Sequence, residues 1–224
     1  MTTAVDELTV LTATTQPWQL LYQDEDLLVV DKPAMLLTVP GRHPANFDCL
    51  ISRVQQQFPT AQVVHRLDYD TSGLVLLPLH KKALSDLSKQ FQARTIEKHY
   101  QALVGGELLP ENGSIDLPIA ADAERRPLYK ICQQNGKASL THYQRLHYDA
   151  TEDLSRVLLK PVTGRSHQLR LHLASIGHAI SGDTLYASAE LASRRDRLCL
   201  HAAWIRFVQP RTGQPLEFTA ALPF

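Results

Sequence analysis

The stretch Val63-Val64-His65-Arg66-Leu67-Asp68-Tyr69-Asp70-Thr71-Ser72-Gly73-Leu74-Val75-Leu76-Leu77 constrains the fold of this chain more than any other. Two apolar runs flank a dense polar loop. The pattern reads as two buried strands, or one strand interrupted, with the polar residues where the chain reverses. Thr71, Ser72 and Gly73 suit a turn, and Gly73 can take the positive φ that side chains disfavour. Arg66, Asp68 and Asp70 are therefore expected at the mouth of a rigid scaffold. On these residues alone two readings stand: an acidic functional site, or an Asx-type turn at Asp70 beside a structural ion pair of Arg66 with Asp68.

The rest of the chain supplies the scaffold. Trp18 to Tyr22 and Leu27 to Val30 read as a hairpin around the acidic turn Gln23-Asp24-Glu25-Asp26, ended by Lys32-Pro33. Apolar residues at helical spacing predict a helix from Cys49 to Phe58, stopped at Pro59. Ala83, Leu84, Leu87 and Phe91 give a basic amphipathic helix over Lys81 to Arg94. Strands are expected at Lys98 to Val104, Ser114 to Leu117, Leu128 to Cys132, Ser139 to Leu146, Ser155 to Lys160, Leu198 to Val208 and Leu216 to Ala220. Asn135-Gly136 is a strong turn signal within this β-rich part. A helix from His167 to Ile176 follows the turn Thr163-Gly164-Arg165-Ser166, with Leu169, Leu173 and Ile176 as its buried stripe. A short helix is expected between Ala187 and Arg194.

Strands that outnumber helices and arrive in runs indicate an α+β fold, a mixed, mainly antiparallel central sheet with flanking helices. Residues 1–16, rich in Thr and Ala without apolar periodicity, are expected to be a flexible lead-in. Residues 17–224 are read as a single domain.

Composition narrows the function. No window approaches the roughly 18 consecutive apolar residues of a membrane helix, and no secretory leader is evident, so a cytoplasmic protein is expected. Cys49, Cys132 and Cys199 are few, distant and outside any CxxC pair, which argues against a disulfide framework or a thiolate zinc site. Net charge is zero, yet every charge before Lys32 is acidic, leaving 23 basic against 17 acidic residues from Lys32 onward. That basic body is compatible with RNA.

Most familiar catalytic motifs are absent from the sequence. His167 and His172 lie five apart, off the spacing of a helical zinc pair, and the glycines form neither GxGxxG nor GxxxxGK[ST]. Neither a metal nor a nucleotide cofactor is expected. Ser72 is not in a GxSxG elbow, so a serine hydrolase is poorly supported. What remains is an acidic residue with arginine partners. Thr163 to Leu173 holds Arg165, Arg170 and two histidines with no acid of its own, so it calls for an external anion, either a phosphate or the Asp68 carboxylate.

Five ordered motifs resemble the RluA family of RNA pseudouridine synthases. They are Asp31-Lys32-Pro33; His65-Arg66-Leu67-Asp68-x-x-Thr71-Ser72-Gly73-Leu74; Lys98-x-Tyr100; Gly164-Arg165-x-His167-Gln168-Leu169-Arg170-x-His172-Leu173; and Gly177-His178-Ala179-Ile180 with Gly182-Asp183-x-x-Tyr186. The resemblance implies the pseudouridine synthase fold and a cofactor-free isomerisation of uridine in RNA. By it, Asp68 is the catalytic aspartate that attacks the uridine, so that the base detaches, turns and rejoins the ribose through carbon. Arg165 resembles the arginine that pairs with this aspartate. Tyr100 resembles the tyrosine that stacks on the target base and is a candidate general base. Arg66 resembles the arginine that fills the RNA stack when the uridine is flipped out, and His65 and Arg170 are expected beside it on the RNA. Unstacking a base, filling its gap and gripping its π-face are what such chemistry requires.

Thr38-Val39-Pro40-Gly41 and Arg126-Pro127-x-x-Lys130 resemble the RluA branch itself, whose members act on a tRNA anticodon-loop uridine and a 23S rRNA loop uridine. Glu124-Arg125-Arg126 departs from the Asn-Arg-Pro expected there. The resemblance implies rRNA or tRNA stem-loops as partners; the short stretch of residues 1–16 before the first strand leads us to expect no additional N-terminal RNA-binding domain, and a monomer without an obligate protein partner is expected. The alternatives are a synthase for a different single uridine, and a catalytically silent RNA-binding module on the same fold.

Overall fold

The computed structural model describes residues 9–224. The chain divides into two compact units, Met1–Ile96 with Trp204–Ala221, and Glu97–Ala203 with Leu222–Phe224.

In the first unit, β1 (Gln19–Gln23) and β2 (Leu27–Lys32) form the expected hairpin, with Gln19 opposite Asp31 and a register shift between Leu20 and Tyr22. The Asp24 carboxylate closes the turn by accepting from the backbone N–H groups of Asp26 and Leu27, both at 2.8 Å. β3 (Ser72–Pro78) runs antiparallel to β2, with Lys32 opposite Gly73. Leu27 to Val30 are fully buried, and so are all seven residues of β3, so these strands are covered on both faces. Gly73 has φ +117°, the conformation for which glycine suits the first turn of this strand.

Two helices complete that unit, α1 (Leu50–Val54) and α2 (Lys81–Ala93). His80 caps α2: its Nδ1 accepts from Ala83 N at 3.2 Å, which leaves Nε2–H to donate to Asp26 at 2.8 Å. Asp26 also accepts from Gln209 at 2.7 Å and Arg211 at 3.1 Å. Burial pushes the Asp26 carboxyl up, but hydrogen bonds from Gln209, His80 and Arg211 outweigh it and hold the group below its ordinary range. The core gathers Leu27, Val29, Leu74, Leu76, Leu87 and Phe207, with Phe218 packed against it.

The second unit is richer in strands. β4 (Glu97–Gly105), β9 (Leu154–Pro161), β8 (Leu140–Asp149) and β5 (Asn112–Asp116) pair in that spatial order, all antiparallel. β6 (Ile119–Ala121) and β7 (Tyr129–Ile131) make a separate antiparallel pair. α3 (Gln168–Ser175) and α4 (Ala189–Ser193) are its helices. Its core includes Ala102, Val104, Leu159, Leu169, Leu173 and Leu200. β10 (Leu200–Val208) crosses the boundary between the units, and its Trp204 to Val208 pair with β11 (Pro215–Thr219).

The α+β class holds, since every named strand pair here is antiparallel and helices are few. Three local expectations do not, and one strand was not foreseen. Val63 and Val64 form no strand; only the second apolar run of the opening stretch does. The first run is tied to that strand by side chains, with His65 Nε2 accepting from Leu76 N at 2.9 Å. The helix expected from Cys49 to Phe58 closes after Val54. β6 has no counterpart among the expected strands, because Ile119-Ala120-Ala121 is too short and too plain to signal one. α3 is buried over six successive residues, Gln168 to Leu173, and so has no single apolar stripe.

Residues 1–8 of the expected flexible lead-in lie outside the described residues. Residues 9–16 have no helix or strand, but they are hydrogen-bonded to Met35, Asn46, Arg53 and Tyr69.

Candidate active site

The first unit presents Asp68 on a turn whose backbone is fixed on both sides. Thr38, 2% exposed, donates to Leu67 O at 2.8 Å and accepts from Leu67 N at 3.2 Å. Leu36 N donates to Tyr69 O at 3.1 Å, and Thr71 N donates to Asp68 O at 3.2 Å. Lys32 lies beneath this turn with no exposed surface, its ammonium donating to Leu36 O at 2.7 Å, Pro33 O at 2.9 Å and, at 3.4 Å, Tyr69 O. A buried cation needs such partners, and these carbonyls belong to the two segments that flank Asp68. The Asp68 side chain itself is half-buried and engages no hydrogen-bond donor among the described residues. It is held in place by its main chain while its oxygens stay available.

Its neighbours divide in character. Arg66 is exposed. His65 is engaged internally, accepting from the β3 backbone and lying 4.7 Å from the Phe91 ring, ring centre to ring centre. His65, expected on the RNA, thus joins the turn to β3 and lies beside α2. Thr71 and Ser72, read as turn residues, are each 2% exposed.

In the second unit, Arg165 lies in the turn before α3, and Gln168 builds that turn. Gln168 Oε1 accepts from Arg165 N at 3.1 Å and from the Thr163 hydroxyl at 2.8 Å, while Nε2 donates to Leu140 O at 3.1 Å and Thr141 Oγ1 at 3.0 Å. Every polar valence of this buried amide that faces the turn is used. Thr141 passes the network to His172 Nδ1 at 2.9 Å, whose Nε2 meets Leu117 O at 3.0 Å. Burial pushes the His172 imidazole below its ordinary pKa. The Arg165 side chain is exposed and reaches Ala138 O at 3.4 Å. It opens on a cavity of about 610 Å³ lined by Tyr129, Lys130, Asn135, Lys137, Arg165 and Ser166, among others.

Arg170 is not at a surface. It is 1% exposed and grips Asp183, itself fully buried, through Nε at 2.8 Å and a terminal nitrogen at 2.6 Å. The anion that Arg170, expected on the RNA, meets here is a carboxylate within its own unit. Asp183 also accepts from the backbone of Leu185 and Tyr186 at 2.9 and 3.1 Å. The Tyr186 hydroxyl in turn accepts from Tyr129 N at 2.9 Å and contacts His167 Nδ1 at 2.8 Å. His167 has φ +54°, an uncommon backbone that this bond supports at the start of α3. Gly182 leaves no alternative at its position, because a Cβ there would lie 1.8 Å from Arg197 O.

Tyr100 sits on β4 opposite Leu159, half-buried against the core of the second unit. Burial pushes Lys98, two residues earlier, below its ordinary pKa. Among the described residues, no three His, Cys, Asp or Glu side chains gather to hold a metal ion. Thr38, Gln168, Asp183 and Tyr186 are supporting residues that a search for reactive chemistry passes over. All four lie in the quoted motifs, which was their only signal.

The framework is antiparallel α+β, with an aspartate on a braced turn of the first unit and an arginine on a braced helix lead-in of the second. The human RNA pseudouridylate synthase domain containing 1 superposes on this chain with a TM-score of 0.80, at 29% identity over 95% of this chain and 86% of its own. The human domain containing 4 protein shares the fold, with a TM-score of 0.71 over 91% of this chain and 88% of its own at 24% identity. The family model described as RNA pseudouridylate synthase matches residues 26–175, and the chain belongs to that family. It is an RNA pseudouridine synthase. The dual-specificity RNA pseudouridine synthase RluA of Escherichia coli K12 is 43% identical over 210 residues, which is 93% of this chain and 95% of that protein. Its namesake from Yersinia pestis is 45% identical over 91% of this chain and 98% of its own length.

Proposed function

We propose that this enzyme isomerises uridines in both a tRNA and an rRNA stem-loop, an anticodon-loop uridine and a 23S rRNA loop uridine, with Asp68 as the catalytic residue. The Asp68 turn carries the proposal: its backbone is braced by Thr38, Leu36 and Lys32, while the carboxylate is left to react. The dual substrate rests on similarity to relatives whose own name is dual-specificity. In the reaction the N1–C1′ glycosidic bond breaks, the base turns, and a C5–C1′ bond forms. The C5 proton leaves and N1 gains one, so nothing is oxidised or reduced. An aspartate attack lets the base detach and is reversed at the end. Bonds broken and formed are nearly equivalent, so the protein's task is positioning and proton transfer.

Arg165 is assigned to the Asp68 carboxylate, Tyr100 to the face of the target base and to the C5 proton, and Arg66 to the gap left by the flipped nucleotide. These assignments draw on both units, which we take to work as one catalytic domain. The enzyme is further proposed to be a cytoplasmic monomer without an obligate protein partner. The described residues contain no helix long and apolar enough to cross a membrane.

C5-tritiated RNA tests the substrate claim, because forming the new carbon bond expels the label. Release from both a tRNA anticodon stem-loop and a 23S rRNA fragment is expected. Release from one alone contradicts dual specificity, and release from neither contradicts the proposal.

A further inference from the structure

We propose that the segment Thr9 to Gln16 is a strap that fixes the turn carrying Asp68, and that Tyr69 is the positioning residue through which it acts. The proposal rests on Asp68 as the reacting residue. The strap has no helix or strand of its own, so only its partners hold it. Asn46, 6% exposed, accepts from Leu11 N and donates to Thr9 O, both at 2.8 Å. Arg53 donates to Thr14 O at 2.6 Å and Gln16 O at 3.2 Å, while Asp48 holds the same guanidinium through two bonds of 2.7 Å. Two side chains are thus committed to main-chain groups of one irregular segment.

Between those anchors the strap touches both walls of the Asp68 turn. Thr14 N donates to Met35 O at 2.8 Å, and the Tyr69 hydroxyl donates to Thr12 O at 2.6 Å. Met35 leads into Leu36 to Thr38, whose atoms hold Leu67 and Tyr69. It has φ +55°, a backbone that a methionine adopts only when its surroundings impose it. Tyr69 follows Asp68 directly. Burial and then the Asp70 charge push the Tyr69 phenol above its ordinary pKa, so it remains a donor through neutral pH. Loosening either wall lets the carboxylate drift, and a shift of about 1 Å can cost on the order of a hundredfold in rate.

Tyr69→Phe deletes the hydroxyl and keeps the ring, and Asn46→Ala frees the start of the strap. Each variant is expected to lower the single-turnover rate on saturating stem-loop RNA on the order of tenfold, with RNA affinity unchanged. The double variant should be no slower than the slower single, since both release one strap. A wild-type rate in Tyr69→Phe, deficits that multiply, or a loss confined to RNA affinity would overturn the proposal. If Asn46→Ala fails to fold, Tyr69→Phe decides alone, because it opens no cavity of consequence. Asp68→Asn in the same assay separates the two claims. Activity in that variant refutes the assignment of Asp68, whereas an inactive Asp68→Asn beside a normal Tyr69→Phe refutes the strap only.

Discussion

Arg170 and Asp183 form an ion pair with 1% and 0% of their side chains exposed. Desolvating two charges is costly, and such a pair is tolerable only when its geometry is excellent and its remaining valences are filled. Here the guanidinium makes two short bonds to one carboxylate, which also caps the backbone of Leu185 and Tyr186. Removing one charge leaves the other buried and uncompensated. Asp183→Asn should therefore lower stability by about 3–5 kcal/mol, read from urea unfolding with an unchanged slope. A loss below about 1 kcal/mol, the scale of an exposed pair, would show that the pair is not what holds this loop. In the sequence Arg170 is a cation among leucines, and nothing local says whether such a residue faces RNA or the core. Its partner lies 13 residues away, beyond the reach of periodicity.

Elements were legible in proportion to how one-sided they are. α2 alternates faces cleanly, so Lys81–Ala93 matches the expected span. β3, β4, β9 and the β10–β11 pair also announce themselves through apolar runs bounded by turns. α3 does not, since six successive residues are buried and its polar members, Gln168, Arg170 and His172, are satisfied internally. Val63 and Val64 look like a strand but serve as an approach to the turn. Such misreadings share a cause: tertiary partners, not local propensity, decide where buried polar residues point.

Strand β10 adds a prediction at this scale. His201 is 1% exposed, and burial, followed by the Arg197 charge, lowers its pKa from 6.5 to about 4. Above pH 6.5 the ring is neutral in both folded and unfolded chains and contributes no pH dependence. As pH falls from 6.5 toward 4 the unfolded chain takes up a proton that the fold refuses, so stability falls across that window and levels off below it. Full titration is worth about 3 kcal/mol. Burial lowers His172 and His99 in the same direction, whereas Asp26 and Asp48 weaken the fold only at more acidic pH. His201→Gln should flatten the stability profile between pH 6.5 and 4. A slope equal to that of the unaltered protein would contradict this.

For the whole molecule, the neutral net charge proves to be a poor guide. The acidic turn near the start is occupied within its own unit: Asp24 by Tyr22 and Gln209, Glu25 by Arg211, and Asp26 by His80, Gln209 and Arg211. Lys130, Lys137 and Arg165 line a cavity of the second unit. The residues selected from the sequence divide between the units, with His65, Arg66 and Asp68 in the first and Tyr100, Arg165 and Arg170 in the second. Motif spacing selected this set by residue type and order along the chain. The braces around it, Thr38 and Gln168, were invisible as such, because their value lies in what they touch.

We propose Asp68 as the residue that performs the chemistry, on a turn that the rest of its unit holds still. Asp68→Asn keeps the shape and removes the charge, and its turn depends on main-chain bonds that the change leaves intact. Tritium release from C5-labelled stem-loop RNA should fall to background in this variant while RNA binding largely survives. Release at the unaltered protein's rate would contradict the account.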